Sequence, residues 1–129
     1  MTGFKKEQLE ENHTRFTERL DFYLRNGYDT IAEREFMLDC AEPLEGTIIE
    51  IGTGKGYLTV PAAKRGHRLI TVEYDPEQQR FARMNVEYYG LSHLVEFRRG
   101  DVYSLDFPDG FADAVLFVNT YHHLDRAQD

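Results

Sequence analysis

The sequence contains one cysteine, no tryptophan and four prolines among its 129 residues. The single cysteine, Cys40, can form neither an internal disulfide nor a zinc cluster, and its place in a predicted amphipathic helix indicates a core position. No stretch approaches the roughly 20 apolar residues that a membrane-spanning helix requires. The first residues also lack the apolar run of a secretory signal. These absences favour a cytoplasmic protein without a membrane segment.

Positive charge is also scarce, because 15 Lys and Arg stand against 23 Asp and Glu and leave a net charge of −8. Proteins that bind duplex nucleic acid usually gain affinity from a basic face that releases counterions. Nucleic acid is therefore a disfavoured partner. The hydrophobic content of 41% is enough for a core, which excludes a disordered chain, and the length allows one compact domain.

Residues 1–46 contain no β-rich run, and their apolar residues recur at helical intervals. This pattern predicts one helix over 6–24 and a second that starts at the N-cap Asp29 and ends before Pro43. We interpret the segment as an N-terminal helical lid.

Residues 47–129 instead alternate short β-branched runs with helical stretches, a pattern typical of an α/β fold with parallel strands. The pattern predicts strands over 47–51, 67–73, 95–98 and 111–118. It also predicts a helix over 54–64 and another that follows the N-cap Asp75 and runs to Tyr88. The uninterrupted apolar run of the last strand indicates burial on both of its faces.

Three alternate glycines, Gly52, Gly54 and Gly56, follow the first predicted strand. Glycines at this spacing allow positive φ angles and let a ligand lie against the backbone. The dinucleotide fingerprint G-x-G-x-x-G would need a glycine where Tyr57 stands, and the P-loop spacing is absent. An NAD-linked oxidoreductase is therefore disfavoured.

An acidic residue, Glu50, lies within the first predicted strand, two residues before Gly52. A carboxylate inside a buried strand is costly unless a partner satisfies it. A ligand that carries an ammonium group would do so, and an ion pair with Lys55 is the alternative.

Two further acids follow the next two predicted strands. Glu73, at the end of the second strand, is placed to hold a ribose diol. Asp101 follows the third strand, where its carboxylate can accept from an adenine amine while the backbone N–H of Val102 meets a ring nitrogen. Acids at the ends of three successive strands therefore predict a single ligand that contains an amine, a ribose and an adenine.

With these motifs in register, residues 45–129 resemble the class I S-adenosylmethionine-dependent methyltransferases of the small-molecule type with an E-x-G-x-G-x-G motif. The resemblance implies a Rossmann-like parallel sheet, S-adenosylmethionine as cofactor and S-adenosylhomocysteine as product. The cofactor-binding residues that it implies are Glu50, Gly52, Thr53, Gly54, Gly56, Glu73, Tyr74, Asp101, Val102 and Asn119.

The segment from Asn119 onward resembles the family's border between the methionine moiety and the acceptor pocket. Tyr121, His122 and His123 are the candidates there for a base that deprotonates the acceptor. For the two histidines, packing beneath the next helix and exposure to solvent are the alternatives. The spacing of nearby carboxylates predicts no metal site.

The family's sheet has seven strands in the order 3-2-1-4-5-7-6, whereas this chain shows strands for the order 3-2-1-4 only. We therefore expect an incomplete methyltransferase domain over 47–129, with strands 5–7 missing, that binds the cofactor. An uncovered strand-four edge, or uncovered sheet faces, predicts a homodimer. The alternative is a non-catalytic module that binds S-adenosylmethionine or a nucleotide and dimerises.

Overall fold

The computed structural model describes residues 3–100 and 110–117. Two of its helices begin where the sequence supplies a cap. The Asp29 carboxylate accepts a hydrogen bond from the N–H of Ala32, and the Asp75 carboxylate accepts one from the N–H of Glu77, with Pro76 in the first turn. The helices are α1 (Lys6–Arg25), α2 (Thr30–Ala41), α3 (Thr59–Lys64) and α4 (Pro76–Tyr88), with a short 3-10 helix over Ser92–Leu94.

The helix predicted from residue 54 begins later, at Thr59, so this expectation was wrong about its start. Gly54 and Gly56 have φ angles of 56° and 94°. A right-handed α-helix excludes such angles. The residues between β1 and α3 therefore form a loop, called here the glycine loop (residues 52–58).

The strands are β1 (Ile48–Ile51), β2 (Leu69–Glu73), β3 (Val95–Arg99) and β4 (Ala114–Phe117). All neighbouring pairs are parallel, and the sheet order is β3-β2-β1-β4. The predicted α/β class and the strand order 3-2-1-4 are thereby confirmed. In the register of β1 and β2, Glu50 lies beside Thr71 on the same face of the sheet.

Helices and sheet share a core on the face that carries Glu50. One buried cluster joins residues of α2, α3, β1 and β2 with the segment between α2 and β1: Leu38, Leu44, Ile48, Leu58, Ala62 and Leu69. The opposite face carries a second cluster of Ile49, Ile51 and Val72, to which no described helix contributes a residue. Both α2 and α3 therefore pack on the Glu50 face. None of the described helices is long and apolar enough to cross a bilayer.

Strand β4 is not buried on both faces, contrary to the prediction from its apolar run. Ala114 and Leu116 pack against the first cluster, while Val115 and Phe117 are each 51% exposed. The strand lies at the edge of the described sheet, and an apolar run alone does not reveal whether a second layer covers it. The start of β4 is tied to β1 through Asp113, whose carboxylate accepts the N–H of Thr47 at 2.6 Å.

Cys40 is exposed, which corrects its predicted core position. The buried residues of α2 are Thr30, Arg34 and Leu38, spaced four residues apart along one side of the helix. Cys40 lies two positions after Leu38 and therefore faces away from this side.

Candidate functional site

Glu50 is enclosed at the carboxyl end of β1 and is only 1% exposed. The hydroxyls of Thr59 and Thr71 donate to its Oε1 atom at 2.5 and 2.7 Å. Burial raises the pKa of Glu50 to about 7, against the lowering effect of the two hydroxyls, and the nearby Glu73 carboxylate raises it further. Glu50 is thus a buried carboxyl that contacts no cationic side chain within residues 3–100 and 110–117.

A chain of hydroxyls connects Glu50 to the glycine loop. The Oγ1 atoms of Thr53 and Thr71 are 2.5 Å apart. Because Thr71 donates to Glu50, Thr53 donates to Thr71. The Thr53 side chain therefore ties the loop to β2. Its backbone is engaged as well, because its N–H donates to the carbonyl of Val72 at 3.4 Å and its carbonyl accepts the N–H of Gly56 at 3.0 Å.

Glu73 joins three elements at the carboxyl end of β2. Its Oε1 atom accepts the N–H of Gly54 at 2.7 Å, and its Oε2 atom accepts the N–H of Asp75 at 3.0 Å. The carboxylate thus lies between the glycine loop and the start of α4. The adjacent predicted residue, Tyr74, points largely into solvent and is 69% exposed.

The glycines of the loop differ in their surroundings. The N–H of Gly52 donates to the carbonyl of Val72 at 2.8 Å, which fixes the start of the loop. A Cβ atom on Gly54 would meet nothing within 4 Å, whereas one on Gly56 would lie 3.6 to 3.7 Å from Val60 and Ala82. Gly56 therefore faces α3 and α4 at ordinary van der Waals distance, whereas the side of Gly54 on which a Cβ atom would lie faces open space.

Helices α1 and α4 hold the glycine loop from the other side. The Phe16 ring stacks on Tyr57 with a centroid distance of 5.0 Å. The Asn85 side chain donates to the carbonyl of Lys55 at 2.8 Å and accepts from Asn12 at 3.0 Å. The Lys55 ammonium lies 5.7 Å from the centre of the Phe81 ring and forms no ion pair with Glu50.

Arg34 belongs to this region and was not predicted from the sequence. It is 2% exposed, and its Nη1 atom donates to the Glu33 carboxylate. Among the described residues its Nε atom has no hydrogen-bond partner, and the same holds for the hydroxyls of Thr30 and Tyr57. A charged residue in a helix is usually exposed to solvent, so the sequence pattern does not predict the burial of Arg34.

The remaining predicted site residues lie outside the described residues: Asp101, Val102, Asn119, Tyr121, His122 and His123. Within 3–100 and 110–117, no group of three or more His, Cys, Asp or Glu side chains is arranged to hold a metal ion. The structure therefore brings together Glu50, Glu73 and the glycine loop.

A parallel sheet in the order 3-2-1-4, a glycine loop after β1 and an acid at the end of β2 define the class of Rossmann-like nucleotide-binding domains. Residues 49–129 match the family model described as a methyltransferase domain. The chain belongs to this family of S-adenosylmethionine-dependent methyltransferases.

Three similar proteins illustrate the relationship. The tuberculostearic acid methyltransferase UfaA1 of Mycobacterium tuberculosis is 40% identical over 83 residues, which are 64% of this chain and 19% of that protein. The YcgJ protein of Bacillus subtilis has a TM-score of 0.64 and 26% identity over 71% of this chain and 39% of its own. An RNA methyltransferase from Salinibacter ruber, solved with S-adenosylhomocysteine, has a TM-score of 0.59 and 31% identity over 67% of this chain and 56% of its own.

The chain thus spans between about a fifth and a little over half of the length of these relatives. The crystal structure of the Salinibacter relative contains S-adenosylhomocysteine, the demethylated form of the family's cofactor.

Proposed function

We propose that this chain binds S-adenosylmethionine as the cofactor-binding part of a methyltransferase that acts on a small molecule. The observation that carries the proposal is the pair of carboxylates at the carboxyl ends of two adjacent strands. Glu50 lies beside Thr71 of β2 on one side of the glycine loop. On the other side, the Glu73 carboxylate accepts a hydrogen bond from the N–H of Gly54. Gly54, whose N–H donates to Glu73, also faces open space on the side where a Cβ atom would lie.

The donor set fits the cofactor's polar groups. In the proposed complex, Glu73 accepts the ribose hydroxyls; each of its oxygens now accepts one N–H and keeps a free lone pair for another donor. Glu50 receives the ammonium group of the methionine moiety, either directly or through water. By the resemblance, Asp101 and Val102 hold the adenine and Asn119 borders the methionine moiety.

When bound, the cofactor supplies a methyl group on a positively charged sulfur, which is open to in-line attack. The protein then contributes position and exclusion of water rather than a covalent intermediate. In this proposal α1 and α2 cover the site as a lid, and Tyr121, His122 or His123 removes a proton from the acceptor.

A small-molecule acceptor is supported by the net charge of −8, which opposes the phosphate backbone of a nucleic acid. The names of the relatives point to different compounds, tuberculostearic acid for the Mycobacterium protein and RNA for the Salinibacter protein. The net charge supports a small molecule over RNA as the acceptor of this chain.

Calorimetric titration tests the proposal. We expect the chain to bind S-adenosylmethionine and S-adenosylhomocysteine, and Glu73→Gln to weaken both by about tenfold or more, because a charge-assisted hydrogen bond to the ribose is lost. The exposed Glu18 on α1 provides the control Glu18→Gln, which removes the same charge elsewhere. A folded wild-type chain that binds neither compound, or that binds NADH equally well, contradicts the proposal.

Methyl transfer is a separate measurement. Incubation with labelled cofactor and either a panel of small hydroxyl, amine and carboxylate acceptors or RNA shows which class receives the label. Labelled RNA together with unlabelled small acceptors contradicts the small-molecule assignment. Binding without any transfer supports the non-catalytic alternative.

A further inference from the structure

A cavity of about 200 Å³ lies between α1, α4 and the glycine loop, and the proposed function does not use it. Three cationic side chains, two amides and two aromatic rings line it: Arg15, Arg19, Lys55, Asn12, Asn85, Phe16 and Phe81. None of the described acids is among these residues, although Asp and Glu outnumber Lys and Arg by 23 to 15 in the chain. The cavity is therefore a positively charged site in an acidic protein.

Buried amides hold together the two helices and the loop that form the cavity. The Nδ2 atom of Asn12 on α1 donates to Oδ1 of Asn85 at 3.0 Å and to the carbonyl of Phe81 at 3.3 Å. Asn85 on α4 in turn donates to the carbonyl of Lys55 at 2.8 Å. Both amides are buried, and a satisfied buried network of this kind keeps its members rigid. The walls of the cavity are therefore in place before any ligand binds.

Two of the three cations lack an acidic partner. Arg15 pairs with Glu11 at 2.6 Å, whereas neither Arg19 nor Lys55 forms an ion pair within the described part of the chain. Arg15 and Arg19 also lie four residues apart on α1, a spacing at which like charges repel. Burial lowers the pKa of Lys55, the charge of Arg19 lowers it further, and Glu77 acts in the opposite direction. An anion in the cavity would relieve the repulsion between these cations.

The apolar walls of the cavity are aromatic rings. The Phe16 ring is fixed by stacking on Tyr57, and the Lys55 ammonium lies 5.7 Å from the centre of the Phe81 ring. A water molecule takes about 30 Å³ in the liquid, so the cavity has room for about six waters or for one small organic group of that size. A ligand that suits these walls combines a compact anionic group with a small apolar or aromatic body.

We propose that this cavity binds a small phosphate monoester, with the phosphate between Arg19 and Lys55 and the apolar body against Phe16 and Phe81. A phosphate monoester carries nearly two negative charges at pH 7, which match the two unpaired cations. Guanidinium and ammonium groups are both common phosphate ligands in proteins. A phosphate of RNA has the same chemistry, but the net charge of −8 opposes a long polyanion.

This site is distinct from the proposed cofactor site. Glu50 and Glu73 do not line the cavity, and their negative charges would repel a phosphate. The inference therefore goes beyond the proposed function and is tested independently of it.

Calorimetric titration with phenyl phosphate tests the inference, and inorganic phosphate and phenol serve as partial ligands. We expect phenyl phosphate to bind at least about tenfold more tightly than either, because it alone fills both the cationic and the aromatic part of the cavity. Arg19→Gln and Lys55→Gln should each weaken its binding by about tenfold, since each removes a charge-assisted hydrogen bond. Saturating S-adenosylhomocysteine should leave the affinity for phenyl phosphate unchanged.

Arg25→Gln is the matched control, because it removes an exposed arginine of α1 that does not line the cavity. We expect this variant to bind phenyl phosphate as the wild-type chain does. Lys55→Arg keeps the positive charge and should retain most of the affinity, which separates the role of the charge from that of the loop backbone. Thermal unfolding of every variant shows whether it folds.

Four results would overturn the inference. The first is a folded wild-type chain that does not bind phenyl phosphate, and the second is equal affinity in Arg19→Gln, Lys55→Gln and Arg25→Gln. Competition between phenyl phosphate and S-adenosylhomocysteine would place the anion at the cofactor site instead. Tighter binding of a short RNA than of phenyl phosphate, lost in Arg19→Gln, would make RNA the occupant. Failure of the proposed function is seen separately, as a lack of binding of S-adenosylmethionine.

Discussion

Folding favours the protonated form of Glu50, whereas the proposed binding of an ammonium group favours its ionised form. Burial raises its pKa from 4.5 to about 7, so the ionised form is less favourable in the folded chain than in the unfolded one. The contribution of the protonated carboxyl to stability is fully present below pH 4.5 and is lost as the pH rises to about 7. An ammonium group from a ligand would offset this loss.

We therefore expect Glu50→Gln to stabilise the ligand-free chain at pH 8 by up to about 3 kcal/mol, since a shift of one pKa unit corresponds to about 1.4 kcal/mol. The amide keeps an oxygen to accept from Thr59 and Thr71. Urea unfolding at pH 5 and pH 8 measures the effect, which should be small at the lower pH. Equal stabilisation at both pH values, or an equal effect of the exposed Glu18→Gln, would show that the Glu50 charge is not responsible.

Gly54 and Gly90 form a matched pair for testing the open space in the glycine loop. Both have positive φ angles, 56° and 72°, and a Cβ atom on either would meet nothing within 4 Å. Alanine at either position should cost about 1 kcal/mol of folding free energy through backbone strain alone. The two positions differ in that Gly54 lies beside Glu73.

In titrations with S-adenosylhomocysteine, we expect Gly54→Ala to weaken binding by about tenfold or more, because the added methyl group occupies space needed by the ligand. Gly90→Ala should leave the affinity unchanged while lowering the melting temperature by a similar amount. Unchanged affinity in Gly54→Ala would mean that no ligand approaches this part of the loop.

Among the elements, α2 is attached to the end of α3 by ion pairs of Arg65, in addition to the packing of Leu38 in the core. The Arg65 side chain, just after α3, donates to Glu35, Asp39 and Glu42 at 2.7 to 3.2 Å. Glu42 also contacts His67 at 2.8 Å, and this hydrogen bond is the main reason that the pKa of Glu42 is lowered to about 2. The stabilising effect of Glu42 is therefore present above pH 4.5 and is lost as the pH falls towards 2.

Arg65→Ala should release one side of α2 and lower the free energy of unfolding by about 1 kcal/mol, because three ion pairs are lost from a partly exposed site. Since α2 is part of the proposed lid, we also expect weaker binding of S-adenosylmethionine. Arg25→Ala, which removes a single exposed pair with Asp21, serves as the control. Chemical denaturation and calorimetry measure the two effects, and equal losses in both variants would contradict the role given to Arg65.

The elements were predictable where local chemistry determines them. Asp29 and Asp75 mark helix starts through hydrogen bonds within one turn, and Pro76 does so through its fixed φ angle. Their positions were therefore confirmed almost to the residue. The late start of α3 was missed because the positive φ angles of Gly54 and Gly56 are backbone states that glycine permits but does not enforce.

The site was predictable only in part, for a related reason. Glu50 and Glu73 could be singled out because acids at strand ends are unusual in sequence. The partners of Glu50, Thr59 and Thr71, come from different elements and are ordinary strand and helix residues until the register brings them together. The burial of Arg34 likewise depends on how α2 packs on the rest of the molecule.

At the scale of the whole molecule, the predicted homodimer remains a prediction, and the exposed apolar side chains of β4 are its basis. Val115 and Phe117 are half-exposed at the edge of the described sheet. Exposed apolar edges promote pairing with another chain. Sedimentation at micromolar concentration should show a dimer, and Phe117→Lys should shift it towards monomer. A stable wild-type monomer under these conditions contradicts the prediction.

The tie between Thr47 and Asp113 also has a consequence for the order in which the molecule can assemble. This contact spans 66 residues, whereas Glu50 and Thr71 are only 21 residues apart. The entropy lost on closing a loop grows with its length, so β1 gains β2 as a neighbour at lower cost than β4. During synthesis, the half of the sheet that carries both carboxylates can therefore pair before the ribosome has released β4.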